Sequence, residues 1–194
     1  MARTREFDTD AVVGSAMEVF WSRGFEATSV QDLVAATGIG RGSLYAAFGS
    51  KEGLYEAALS RYAARSTAAM AARLDRDEPV RVVLRELLLD LVDETVGDPA
   101  RRGCLVTNSA VERLPHDRTA GRIVGDALDR VTEAVAGALR KGRERGELPR
   151  DADVTALADF VVTTIQGLRV QGKAGADRRR LATVVDTALA ALPR

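Results

Sequence analysis

The sequence predicts an all-α fold of about nine helices, with a three-helix unit at residues 1–50 and a larger helical domain at 51–194. Apolar residues recur at helical spacing along most of the chain, and no stretch alternates as a strand would. Alanine, leucine and arginine dominate, while aromatics make up 5% and prolines number five, a composition that favours helices. Capping residues and glycine or proline breakers punctuate the pattern at short intervals.

The first helix has Asp8, Thr9 and Asp10 as N-cap choices and an apolar stripe of Val12, Val13, Ala16, Met17, Val19 and Phe20; Gly24 ends it. Ser29 caps the second, whose inward positions are Val30, Leu33, Val34 and Thr37. Gly38 stands where a helix C-terminus favours positive φ, and Ile39 plugs the angle before the third helix. That helix restarts at Gly40-Arg41 with Leu44 and Phe48 facing inward. Its outward positions, Arg41, Gly42, Ser43, Tyr45 and Ala46, form a short, compact face suited to a DNA groove. This is helix-turn-helix anatomy, and it predicts a DNA-binding domain whose second motif helix enters the major groove.

Roles follow from side-chain chemistry. Arg41, Ser43, Tyr45 and Ala46 are the expected base readers, with Gly42 permitting close approach. Arg41 can pair bidentately with guanine, whereas Tyr45 suits a base or a phosphate equally. Thr28, Ser29 and Lys51 are expected at phosphates, and the arm residues Arg3 and Arg5 along the backbone or in a minor groove. Bulk charge gives no support, since acidic and basic residues number 28 each. Residues 1–51 hold five Lys/Arg against six acids, against the usual basic footprint. Placement favours the reading, because Arg3, Arg5, Arg41 and Lys51 sit at the arm and the helix starts.

From Ser50, which caps a helix over residues 51–74, the pattern is helices joined by short breakers. Pro79 opens the next, with Val82 to Val92 giving a broad buried side, and Gly97-Asp98-Pro99 closes it. A short helix from Cys104 to Arg113, a long one over 118–142, and two more over 154–171 and 178–192 complete the chain. The last two are apolar on several sides. Val161, Ile165, Leu168, Leu181, Val184, Val185, Ala188 and Leu189 are therefore expected at a homodimer interface built as a four-helix bundle.

Ala11 through Leu54 resembles the DNA-binding domain of the TetR family of bacterial transcriptional regulators. The matching residues are Ala16, Phe20, Gly24-Phe25, Ala27-Thr28-Ser29-Val30, Leu33, Gly38-Ile39, Gly42, Leu44-Tyr45, Phe48, Ser50-Lys51-Glu52 and Leu54. Two departures stand out. Gly40 occupies a capping position, and Ala46-Ala47 replace larger side chains, leaving fewer groups for base contact. The resemblance implies a ligand-binding and dimerisation domain after the reader, and a repressor released from a near-palindromic operator by a small-molecule effector. An effector pocket is then expected among residues 51–171, with Tyr62, Met70, Leu88, Val92, Cys104, Asn108, Glu112, Phe160, Thr164 and Gln166 as candidate lining. The stretch Gly103–Glu112 is also similar to a segment in a branch that includes thiol-based sensors. Cys104, at a helix start behind Arg101-Arg102, is the corresponding candidate, against the plain reading of a buried, inert cysteine.

No long apolar span or signal core occurs, so a cytoplasmic protein without membrane association is expected. One cysteine and one histidine (His116, expected in an exposed loop) predict neither an internal disulfide nor a zinc site, and no cofactor motif is present. The expected partners are double-stranded DNA, a second copy of the chain and an effector. A thiol-dependent enzyme lacks a base beside Cys104. A helical partner-binding protein with a vestigial reader is the other alternative.

Overall fold

The computed structural model describes residues 7–114 and 116–193, and these hold nine α-helices and no strand. In order they are α1 (Thr9–Arg23), α2 (Val30–Thr37), α3 (Arg41–Phe48), α4 (Lys51–Leu74), α5 (Val80–Gly97), α6 (Leu105–Glu112), α7 (Arg118–Glu144), α8 (Val154–Lys173) and α9 (Arg178–Ala190). Side-chain caps fix most of the starts. Asp8, Ser29, Ser50, Asp117, Asp153 and Asp177 each accept a backbone N–H from the first turn. At α2 the cap is reciprocal, because the Asp32 carboxylate also accepts the Ser29 amide. Hydrogen bonds from the Ser29 hydroxyl and amide, with Arg23 adding to them, lower the Asp32 pKa to about 2. Gly40, as its sequence suggests, gives α3 no side-chain cap.

Apolar packing does not divide at residue 50. One cluster joins α1, α2 and α3 to the first half of α4, to Cys104, Leu105 and Val106, and to Ala120, Val124 and Ala127 of α7. Tyr55 lies at its centre, edge-on to Phe20 and Phe25 with ring centroids 5.0 Å away in each case. A second cluster fills the space between the end of α4 and helices α5, α7, α8 and α9. Helix α6 is therefore seated in the reader's core while belonging by sequence to the second domain.

This packing corrects the expected dimer face. Val161, Ile165, Leu168, Leu181, Val185 and Ala188 are buried in the chain's own core, and Leu189 packs against it. Only Val184 of that set is exposed, at 44%. The outward stripe of α8 is instead Ala156, Phe160, Thr163, Gly167 and Gln171, and that of α9 is Val184 and Thr187, continued by Ala191 at its C-cap. No described helix is long and apolar enough to cross a membrane.

Candidate DNA interface and the cleft behind it

Helix α3 presents its face to solvent because only Leu44 is drawn fully into the core. Arg41, Gly42, Ser43, Ala46 and Ala47 are exposed, and Tyr45 is half-buried. The Arg41 guanidinium lies 5.2 Å from the Tyr45 ring centroid, one turn along the same face. That stacking holds the cation over the exposed surface of the helix. Nothing approaches within 4 Å of a Cβ built on Gly42, so the surface beside Arg41 is open. Lys51 starts α4 with its ammonium 4.1 Å from the Phe25 ring centroid.

Thr28 is a correction. It is 1% exposed, and its hydroxyl donates to the Gly24 carbonyl at 2.6 Å, which rules its side chain out as a phosphate ligand. Ser29 is exposed, but its hydroxyl is committed to Asp32 as a cap. Arg3 and Arg5 lie outside the described residues.

Five of the reader's six acidic residues lie among the described residues, Glu6 being outside them, and each of the five has a partner. Glu18 pairs with Arg102, Glu26 with Arg113 and Asp32 with Arg23, at 2.8, 2.9 and 2.6 Å. Asp8 caps α1, and Asp10 lies 3.7 Å from Arg61. Arg102 and Arg113 from the second domain and Arg23 from the reader itself thus pair with acids on the reader's flank, and Arg41 is left exposed on α3, whereas Lys51 has the Glu52 carboxylate beside it. The charge count along the sequence concealed this.

Behind the reader, α6 grips the turn after α1. The Glu112 carboxylate accepts the amides of Phe25 and Glu26 at 3.1 and 3.0 Å. A Cβ on Gly24, at φ 82°, would come within 2.8 Å of that carboxylate, so glycine is needed for both the angle and the approach. Arg113 completes the grip, with its guanidinium 3.8 Å from the Phe25 ring centroid and a salt bridge to Asp117. At the other end of α6 the Trp21 indole N–H donates to the Gly103 carbonyl at 2.8 Å, and Arg102 stacks on the same indole. Glu112 is a latch between domains, a role its sequence position gave no hint of.

Three adjoining cavities of about 440, 270 and 390 Å³ lie along this junction. Of the expected lining residues, Tyr62, Met70, Cys104, Asn108 and Glu112 border them. Leu88 and Val92 do not, being packed solid in the core; Phe160 and Thr164 lie on the outer side of α8. Gln166 accepts a hydrogen bond from Thr107 and borders none of the three. Trp21, Arg169 and Lys173 line the largest cavity and were missed. Cys104 is buried at the N-cap of α6. Burial pushes its thiol up, but the Arg169 charge and hydrogen bonds from Thr107 and Tyr62 outweigh it, leaving the thiol below its ordinary value. Burial raises the Tyr62 hydroxyl, with the neighbouring thiol adding to the effect.

Residues 12–58 match the family described as bacterial regulatory proteins, tetR family, and residues 79–188 match the tetracyclin repressor-like C-terminal domain. The HTH-type transcriptional regulator YezE of Bacillus subtilis (strain 168) is 35% identical, over 99% of this chain and 100% of its own. The HTH-type transcriptional repressor ComR of Escherichia coli (strain K12) is 33% identical, over 98% and 91%. Among solved structures, a cysteine mutant of the TetR family regulator CifR, complexed with 26-base-pair operator DNA, superposes with a TM-score of 0.87. It shares 37% identity over 98% of this chain and 100% of its own.

Proposed function

The chain belongs to the TetR family of bacterial regulatory proteins, and we propose that it is a dimeric transcriptional repressor released from a near-palindromic operator by a small-molecule effector. The observation that carries this reading is the open Arg41–Ala47 face of α3, with Glu18, Glu26 and Asp32 of the reader each held by an arginine elsewhere. Operator binding by a relative at 37% identity and repressor status in a relative at 33% support it. Arg41 reads a guanine edge, Ser43 and Tyr45 contact neighbouring bases or phosphates, and Lys51 binds the backbone. Arg41→Ala is expected to weaken specific binding by about 1–3 kcal/mol per half-site, about 2–6 kcal/mol and so roughly 30-fold or more for the dimer, with far less change on random duplex. Fluorescence anisotropy at fixed salt measures both. An equal loss on both duplexes would reassign Arg41 to a phosphate.

Two copies join through the outward stripes of α8 and α9. Phe160 at 40% and Val184 at 44% exposure supply apolar anchors, and Gly167 has open space over its Cα that lets a second helix approach. The pairing places two α3 helices on one face of the duplex, about one helical turn apart. An effector that binds better to the form with the wrong reader spacing shifts the population off DNA.

The route from effector to reader runs through α6, whose Cys104 and Glu112 ends both border the 440 Å³ cavity. Glu112→Gln leaves one of the two latch amides facing an NH₂ group that cannot accept it. The expected stability loss is about 1.5–3 kcal/mol, the range for hydrogen bonds to a charged group, with weaker operator binding from a less fixed reader. Urea denaturation together with an operator titration checks it; unchanged values in both would remove the latch.

A further inference from the structure

The cleft between α1, α6 and α8 carries positive charge that the chain's own carboxylates leave unneutralised. Arg169 and Lys173 stand one turn apart on α8, and both line the 440 Å³ cavity. Among the described residues neither forms an ion pair. Lys173 Nζ donates to Asn108 Oδ1 at 2.8 Å, a neutral partner. Arg169 is half-buried and borders all three cavities at the junction. The neighbouring cations differ in this respect, since Arg23 is paired with Asp32 and Arg102 with Asp98 and Glu18. Glu112 is the carboxylate among the residues lining the largest cavity, and it is already engaged by two amides.

A guanidinium partly removed from water without a counter-charge is costly, and an anion entering the cleft relieves that cost. The fork of a guanidinium also matches a carboxylate bidentately. Around the two cations the walls are mixed. Thr107 and Asn108 are polar, whereas Trp21, Val111 and Val170 offer apolar surface, the two valines being 80% and 50% exposed. We propose that this cleft is a binding site for a small organic carboxylate, the anion held between Arg169 and Lys173 and its apolar body lying against Trp21, Val111 and Val170. A cavity of this volume suits a ligand of one ring or a short chain. Such a ligand touches α8, α6 and the reader's Trp21–Gly24 segment together. Its consequence at DNA rests on the repressor reading; its binding does not.

Calorimetric titration of the full chain, without DNA, tests the site with benzoate and hexanoate against neutral benzamide. The expected result is that at least one carboxylate binds, with benzamide at least about tenfold weaker than benzoate where benzoate is the binder. Arg169→Gln and Lys173→Gln are each expected to weaken that carboxylate by about tenfold or more. Circular dichroism verifies folding, and Lys173→Gln, being at the exposed end of α8, carries the test if Arg169→Gln fails to fold. No binding of either carboxylate up to millimolar concentration would overturn the proposal. So would benzamide binding as tightly as benzoate, or a carboxylate affinity indifferent to both substitutions. Carboxylate binding by a protein that shows no operator preference would instead leave the site standing and remove the repressor reading.

Discussion

Tyr55→Ala is expected to cost about 3–5 kcal/mol of folding stability, the range for deleting a large aromatic from a packed core. The ring is 1% exposed and meets Phe20 and Phe25 edge-on, while its hydroxyl lies 2.6 Å from the Ser109 hydroxyl. Ser109 donates to the Leu105 carbonyl, so Tyr55 must be the donor to Ser109. One side chain therefore ties α1, α4 and α6 together, and its loss loosens the reader from the helices behind it. Tyr55→Phe is milder, about 1 kcal/mol, because Ser109 keeps its own donor bond. Burial raises the Tyr55 pKa above the ordinary 10.0. Folding therefore favours the neutral phenol, a contribution fully present below pH 10 that is lost as pH rises through the folded value. Urea midpoints from pH 8 upward are expected to fall less steeply in Tyr55→Phe than in the wild type beyond about pH 10.

Phe160→Asp is expected to dissociate the dimer. Within one copy the side chain is 40% exposed, so a carboxylate there stays in water and the fold survives. In the proposed paired bundle the same carboxylate would be buried against the second copy with no cation beside it on the outward stripe of α8, at a cost of several kcal/mol. Sedimentation is expected to show half the mass. Operator affinity is expected to fall by about 10²-fold or more, because the second reader no longer binds at high effective concentration. A variant that stays dimeric would move the interface elsewhere.

Helix starts were legible where their signals are local: Asp8, Ser29 and Ser50, each just ahead of an apolar stripe, announce a cap within four residues. The exposed face of α3 was legible for the same reason. Periodicity also marked the apolar stripe of α8, but it does not tell whether a stripe meets the chain's own core or a second copy. The most apolar side, Val161, Ile165 and Leu168, went inward, leaving Phe160, Thr163 and Gly167 outside. Thr28 read as a surface hydroxyl because its acceptor, the Gly24 carbonyl, exists only once the turn closes. The latch and the cationic cleft depend on residues far apart in sequence: Glu112 reaches across 87 positions to Phe25, and Lys173 across 65 to Asn108. No local pattern carries such pairings.

The proposed function requires a two-fold scaffold that offers two copies of the Arg41 face to one duplex. Selection of bound sequences from a random duplex library by the purified wild-type chain tests it most directly. Enrichment of an inverted repeat whose half-sites lie about one helical turn apart is expected. Recovery of a single asymmetric element, or of no preferred sequence at all, would contradict it.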